Sequence, residues 1–382
     1  MSDLADLPEP DRLTGAPHPR ETARVIGQSE AEQTFLTAYT SGRLHHGWLL
    51  TGPRGTGKAT LAWEIARFLL ATPPDEGDGL FGAPPPPDTL HIDPEHPVAR
   101  RMLALSEPGL FLLRRGGAGS TDTERDKALK EGRFSDVIRV DEIRKLNAFF
   151  GLSAADGGRR VVIVDSADEM TNQAANALLK MLEEPPARTT LLLLSHQPAR
   201  LLPTIRSRCR TLRLAPLPPE DMAQALAQAG AEVAPNDVAP LTTLAEGSVG
   251  AAMRLLTLDG LALYREILKL LSGLPALDRA ALLSLADSCA GKGKESRLDL
   301  VLTLADQLAA RLARTGVTGH PPPEIMSGEG DMLTRLAPDP AAGRRWANVS
   351  QEAGDRARHA RAVNIDPAAL ITDLFLHLQK AA

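Results

Sequence analysis

The segment Gly52-Pro53-Arg54-Gly55-Thr56-Gly57-Lys58 constrains this chain more than any other stretch of it. It has the spacing G-x-x-x-x-G-K. It follows a short apolar run, Trp48-Leu49-Leu50-Thr51, and precedes a stretch in which Leu61, Ile65, Phe68 and Leu69 fall on one face of a helix. A strand, a glycine-rich turn and a helix in that order form a cradle for phosphate. The glycines let backbone N–H groups turn inward, the helix N-terminus adds partial positive charge, and the lysine reaches the terminal phosphates. Gly52, Gly55, Gly57 and Lys58 are therefore candidate nucleotide-binding residues.

Two more strands of the same sheet are legible. Val161-Val162-Ile163-Val164 is a β-branched run closed by Asp165, the pattern of a buried parallel strand with an acid at its carboxyl end. Leu191–Leu194 is another, and Leu110–Leu113 and Thr211–Leu214 are further candidates. Helices alternate with them. One is expected near Asp141, and one after Thr171 carries Ala175, Leu178, Leu179 and Leu182 and ends at Pro185-Pro186. This alternation predicts a parallel α/β sheet. Residues 72–135 interrupt it as an irregular insertion, proline-rich at first and a charged loop over 116–135. Residues 1–21 are polar and proline-rich and read as disordered.

Beyond Pro216-Leu217-Pro218-Pro219 the strand signal stops and the chain becomes Ala/Leu-rich and helical. The expected organisation is an α/β domain over 22–215, a small helical lid over 216–260 and an all-α collar over 261–382. The last helix is marked by Asp366 as N-cap, Pro367 in the first turn, and Leu370, Ile371, Leu374, Phe375 and Leu378 on one face.

Composition narrows the function. The chain has 382 residues, enough for two or three domains, and a net charge of -5. With 43 Lys+Arg against 48 Asp+Glu there is no basic excess of the kind that grips duplex phosphates, so any DNA contact is local or shared. Two cysteines, Cys209 and Cys289, suit a reducing cytoplasm and provide neither a disulfide framework nor a cysteine zinc site. No run is long and apolar enough for a membrane span, and no signal peptide is visible.

The phosphate loop lacks parts that hydrolysis wants. Lys58 is followed by Ala59, where a hydroxyl would hold Mg²⁺. Thr60 comes one residue later and points about 100° away around the helix. Asp165 is placed to hold metal, but Ser166 follows it and is no general base near neutral pH. Asp168 and Glu169 read as a solvated cluster at a helix entry.

Asn176-Ala177-Leu178-Leu179-Lys180 with Leu182-Glu183-Glu184-Pro185-Pro186, and Leu201-Leu202-Pro203-Thr204-Ile205-Arg206-Ser207-Arg208-Cys209, resemble segments of bacterial DNA polymerase III clamp-loader subunits of the AAA+ family. Val25-Ile26-Gly27-Gln28, Arg43-Leu44-His45-His46 and the 138–146 stretch are similar to the same family. The likeness is strong over about 22–214. It implies an AAA+ P-loop module with lid and collar, working in a ring with gamma/tau and delta subunits. The ring loads a sliding clamp onto primer-template DNA.

The resemblance further implies that Arg208, with Ser207 and Cys209 in its motif, is an arginine finger acting on a neighbour's ATP site. It places sensor 1 at Ser195, with His196 the alternative, and sensor 2 at Gly247-Ser248-Val249-Gly250, where Gly250 replaces an arginine. With Ala59, Ser166 and Gly250 together and Arg208 retained, the chain is similar to the delta-prime branch. It is then a subunit of the polymerase holoenzyme, itself neither a polymerase nor an efficient ATPase. ATP binding is expected to be weak or absent, with Mg²⁺ only alongside nucleotide. Zinc is not expected, because 72–106 has no cysteine and His91 and His96 are too few ligands. An active gamma/tau-type ATPase and a helicase-type AAA+ motor are the competing readings.

Overall fold

The computed structural model describes residues 8–72, 86–151, 158–362 and 365–382, the side chains of 357–362 excepted. The chain divides into two compact units. The first holds 1–232 with 247–250, and the second holds 233–246 with 251–382. The stretch expected as a lid, 216–260, is thus shared between them.

In the first unit five parallel strands form one sheet in the order β2-β3-β4-β1-β5. They are β1 (Gly47–Thr51), β2 (Leu110–Arg114), β3 (Arg160–Asp165), β4 (Thr189–Ser195) and β5 (Arg210–Arg213). The helices in this unit are α1 (Ser29–Thr40), α2 (Lys58–Ala71), α3 (Pro97–Leu103), α4 (Asp122–Lys130), α5 (Val140–Gly151), α6 (Asn172–Glu183), α7 (Pro203–Arg206) and α8 (Pro219–Gln228). Helices cover both faces, which is why β1 and β4 are buried at every position and read as continuous apolar runs. One face packs Trp48, Leu50, Ile163 and Leu192 with Leu61, Ile65 and Phe68 of α2. The other packs Val162, Val164 and Leu193 with Ile143 and Leu146 of α5 and Leu178 and Leu182 of α6. Thr171 caps α6 by accepting from the Ala174 amide.

Two expectations fail here. Residues 8–21 fold against the unit rather than being disordered: His18 is fully buried and Arg20 nearly so. Their polarity is answered by partners, since Arg20 Nη1 lies 2.6 Å from Glu9 Oε1 and His18 Nε2 lies 3.1 Å from Asp11 Oδ2. A charged segment can be buried when its charges pair within it. The stretch 116–135 likewise contains helix α4. Thr121 and Glu124 form a capping box there, each side chain bonding the other's backbone N–H. Within the supposed insertion, β2 and α3 are also regular, while 73–85 lie outside the described residues.

Helix α2 ties the start of the chain to the sheet. Its Arg67 donates to the carbonyls of Arg20, Thr22 and Ala23. Glu64, only 2% exposed, accepts from the Val25 amide at 2.8 Å. Burial pushes the Glu64 carboxyl up to about 7, against the Val25 hydrogen bond and the Arg67 charge.

The helices α9 (Pro235–Leu244), α10 (Val249–Thr257), α11 (Gly260–Ser272), α12 (Arg279–Ser288), α13 (Glu295–Thr318), α14 (Glu329–Leu336), α15 (Pro340–Ala362) and α16 (Pro367–Ala381) follow, and no strand occurs after Arg213 among the described residues. The second unit buries Tyr264, Trp346 and Phe375. Asp366 caps α16 through the Ala369 amide, and Leu370, Ile371, Leu374, Phe375 and Leu378 are buried as the stripe requires. Glu329 is fully buried and fully answered: Tyr264 Oη and Arg311 Nε donate to Oε1 at 2.6 Å each, and the Ile325 amide donates to Oε2 at 2.7 Å. Helices α13 and α15 meet at Gly316 and Gly343. A Cβ on Gly316 would lie 2.6 Å from Gly343 Cα.

Two stability measurements follow from these contacts. The folded-state pKa of Glu64 lies above its unfolded value, so its contribution is present below 4.5 and lost as pH rises through about 7. Glu64→Gln keeps an acceptor for Val25 and removes the charge. It should gain on the wild type by about 2–3 kcal/mol in chemical denaturation between pH 4.5 and pH 8; parallel pH profiles for the two proteins would show that Glu64 is not the titrating group. Gly316→Ala should lose about 1–3 kcal/mol by forcing α13 and α15 apart, and an unchanged denaturation midpoint would contradict the crossing.

Candidate nucleotide site

Because all five strands are parallel, their carboxyl ends finish on one edge of the sheet, and the loops that leave them converge there. The loop after β1 begins at Gly52, whose φ of +147° and approach to the Leu214 carbonyl leave no space for a Cβ. Gly55, at φ +78°, is equally confined, by Ser248 Oγ and the Gly250 backbone. The Ser248 hydroxyl donates to the Arg54 carbonyl at 2.8 Å, and the Gly250 amide donates to the Gly55 carbonyl at 3.3 Å. The expected sensor-2 segment therefore does lie on the phosphate loop, with a backbone contact in place of an arginine. Gln28, 4% exposed, braces the other side. Its amide donates to Thr56 O and Ala215 O and accepts from the Ala215 amide.

Lys58 is 3% exposed and folds back on its own loop, donating to Gly52 O at 2.8 Å and Pro53 O at 2.5 Å. Burial lowers its pKa to about 8, against the attraction of Asp165 and Asp168. Gly57 is the left-handed N-cap of α2, and Thr60 lies in the first turn of that helix. Ala59 packs against the hydrophobic core, so the position that would offer metal an oxygen is apolar. Asp165 ends β3, where burial and the neighbouring Asp11 push its carboxyl up to about 6. This donor set suits Mg²⁺ poorly: Asp165 is pushed toward its neutral form, Asp168 is taken up by backbone amides, and no hydroxyl stands next to the lysine.

Ser166 donates to Asp165 Oδ1 at 2.9 Å, and its Oγ lies 3.0 Å from His196 Nε2. Asp168 accepts from the His196 and Gln197 amides, while Glu169 pairs with Arg54 at 2.9 Å and Arg115 at 3.2 Å. These two acids are engaged in fixing loops rather than forming a solvated cluster. Ser195 is fully buried at the end of β4, and its hydroxyl has no hydrogen-bond partner among the described residues. His196, bonded to Ser166, is the one that feels the charges of the loop. Burial first, then the charges of Lys58 and Arg54, lower its pKa to about 4, which keeps the imidazole neutral. Sequence reasoning could have favoured it, because the residue after a buried strand leaves the sheet.

Arg208 stands apart from this loop. It follows the short α7, whose C-cap is the exposed Ser207. Its Nη1 donates to the Thr204 carbonyl at 3.0 Å and its Nη2 lies 2.8 Å from Glu183 Oε1 at the end of α6, with the side chain 37% exposed. Cys209 beside it is half-buried, and burial pushes its thiol up to about 12, so it is an inert packing group. His46 Nε2 lies 2.8 Å from the Leu182 carbonyl. Three separated segments singled out in the sequence thus meet: Arg43–His46, Leu182–Pro186 and Leu201–Cys209.

Among the described residues, Glu9, Asp11 and His18 bring potential ligand atoms within 4.8 Å of one another. Arg20 and Arg114 already answer their charge, with Arg114 Nη1 3.1 Å from Glu9 and 2.5 Å from Asp11. Burial alone would push both carboxyls up. The hydrogen bonds and charges of Arg20, His18 and Arg114 outweigh it and hold Glu9 and Asp11 below their usual range.

A parallel sheet in this strand order, a phosphate loop after β1 and a helical unit following in the chain define an AAA+ P-loop protein. Residues 27–218 match the profile of the family described as DNA polymerase III, delta subunit, and the chain belongs to that family. It is 38% identical to DNA polymerase III subunit delta' of Pseudomonas aeruginosa over 230 residues, which cover 58% of this chain and 60% of that protein. It is 28% identical to the subunit delta' of Escherichia coli over 349 residues, covering 91% and 92%. The gamma/tau subunit of Mycobacterium tuberculosis is 30% identical over 210 residues, 55% of this chain and 31% of that one. A gamma subunit-related protein of Thermotoga maritima superposes with a TM-score of 0.38 at 17% identity, covering 91% of this chain and all of that one. No described helix is long and apolar enough to cross a membrane.

The pairing of His196 with the loop can be tested without any activity. Lys58→Met should raise the His196 pKa from about 4, read from imidazole shifts in an NMR titration. An unmoved titration would show that the imidazole does not feel the lysine.

Proposed function

We propose that this chain is a clamp-loader subunit of the delta-prime type. It acts in the cytoplasm in a ring with gamma/tau and delta subunits, and helps them place a sliding clamp on primer-template DNA. In this reading it binds ATP weakly or not at all, takes Mg²⁺ only with nucleotide, and carries no zinc. Its chemical contribution is made in trans: Arg208 is offered to the ATP site of a neighbour.

The observation that supports this most is the contrast between two sites on one unit. The chain's own phosphate loop has Ala59 in the metal position, Ser166 after the strand acid and Gly250 in place of an arginine. Arg208, by contrast, is a partly exposed guanidinium held by Thr204 and Glu183. Its two terminal nitrogens rest on Thr204 and Glu183 within the chain, from which an incoming phosphate could recruit them, and a planar fork suits the equatorial oxygens of a transferring phosphoryl group. Family membership over 27–218 supports the same reading, since that span includes both the loop and Arg208.

A finger of this kind contributes roughly 10³–10⁵-fold to hydrolysis, or about 4–7 kcal/mol of transition-state stabilisation. Arg208→Ala should leave the chain folded and bound to its partners, yet slow single-turnover hydrolysis at the one adjacent ATP site by a factor in that range. Arg208→Lys should rescue poorly, because it keeps charge and loses the fork. An unchanged rate at that site, with the remaining sites disabled, would leave the chain a scaffold only.

A further inference from the structure

Residues 8–21 have no place in the trans-acting role proposed above, yet they pack on the strand end, helix and Gly250 segment that border the chain's own phosphate loop. Arg114 ends β2 directly opposite Asp165 in the register of β2 and β3. Its guanidinium reaches out to Glu9 and Asp11. The next residue, Arg115, donates to the Pro10 carbonyl at 3.0 Å and pairs with Glu169, which also holds Arg54 of the loop. At the other end His18 packs edge-on against Trp63 of α2, ring centroids 5.7 Å apart. Between these anchors Leu13 comes within 4.0 Å of a Cβ placed on Gly250, the residue whose amide bonds Gly55.

The consequence is electrostatic as well as steric. The phosphates of a nucleoside triphosphate would have to settle beside Lys58 and near Asp165, a carboxylate with no arginine partner of its own among the described residues, while Asp11, 4% exposed, is paired to Arg114. Like charges at short range in a water-poor site repel strongly. The two arginines on the adjoining strand end, which could otherwise offset that charge, are engaged by the segment itself. We propose that residues 8–21 are an autoinhibitory strap, a built-in occupant that keeps nucleoside triphosphate off this chain's own phosphate loop. The strap adds to the handicap at Ala59 and is independent of Arg208, so its failure would leave the trans-acting reading untouched.

The test uses the full chain, the fluorescent probe mant-ATP with Mg²⁺, and trypsin. Arg12 and Arg20 report whether the strap is seated, because Arg20 is buried and paired in the closed state. Arg114→Ala/Arg115→Ala should speed cleavage at Arg20 and tighten mant-ATP binding by about tenfold or more, and adding Lys58→Ala should abolish the gain. Leu13→Lys, which disturbs only the contact with Gly250, should act in the same direction and serves if the double variant is unstable. A freed strap without tighter binding overturns the proposal, as does tight binding by the wild type or binding that survives Lys58→Ala. Cleavage at Arg20 no faster than in the wild type overturns the assignment of Arg114 and Arg115 as its latch.

Discussion

Five parallel strands, the inner three of them buried, end on one edge, and the chain's own phosphate loop, Asp165 and His196 hang from that edge, while Arg208 precedes β5 at the opposite end. Thr51 of β1 lies beside Ser195 of β4 and Arg213 of β5. The phosphate loop, His196 and the end of β3 with Asp165 are therefore brought together by backbone register rather than by side-chain attraction. Burial of the strands on both faces fixes that register, because a one-residue slip would exchange the two faces of every strand.

Placing charge at a dry edge has a cost that the chain answers locally. Lys58 is desolvated and turns to the carbonyls of its own loop, and Asp165 is pushed toward its neutral form. An ion pair between them would be the usual remedy, and Mg²⁺ the usual mediator, but the apolar Ala59 removes part of the metal's support. Carboxylates nearby find other cations: Glu169 takes Arg54 and Arg115, and Glu9 and Asp11 take Arg20 and Arg114. The outcome is a loop that is internally satisfied, held by Gln28 on one side and by Gly250 on the other.

Arg208 shows the opposite economy. Its contacts with Thr204 and Glu183 limit its rotamers while over a third of the side chain stays in water. Such an exposed pair adds little to stability. Its effect is to restrict where the guanidinium sits, which is what the proposed action on another molecule's reaction would need.

The sequence by itself determined the sheet, the loop, the helices α2, α5, α6 and α16, and the residue types at 59 and 166, because these depend on spacing along the chain. Strands buried on both faces read as apolar runs, and caps such as Thr171 and Asp366 act within one helical turn. What only the tertiary structure decided rests on pairs far apart in sequence. The strap over 8–21 looks unfoldable in isolation and is made foldable by Arg114 and Trp63. His196 rather than Ser195 feels the charges of the loop because β4 ends where it pairs with Thr51, so the next side chain leaves the sheet. The thresholds of burial that shift Glu64, Asp165 and Lys58 are likewise set by neighbours on other elements. Local periodicity cannot carry that information, since a charge is expensive or harmless according to what folds over it.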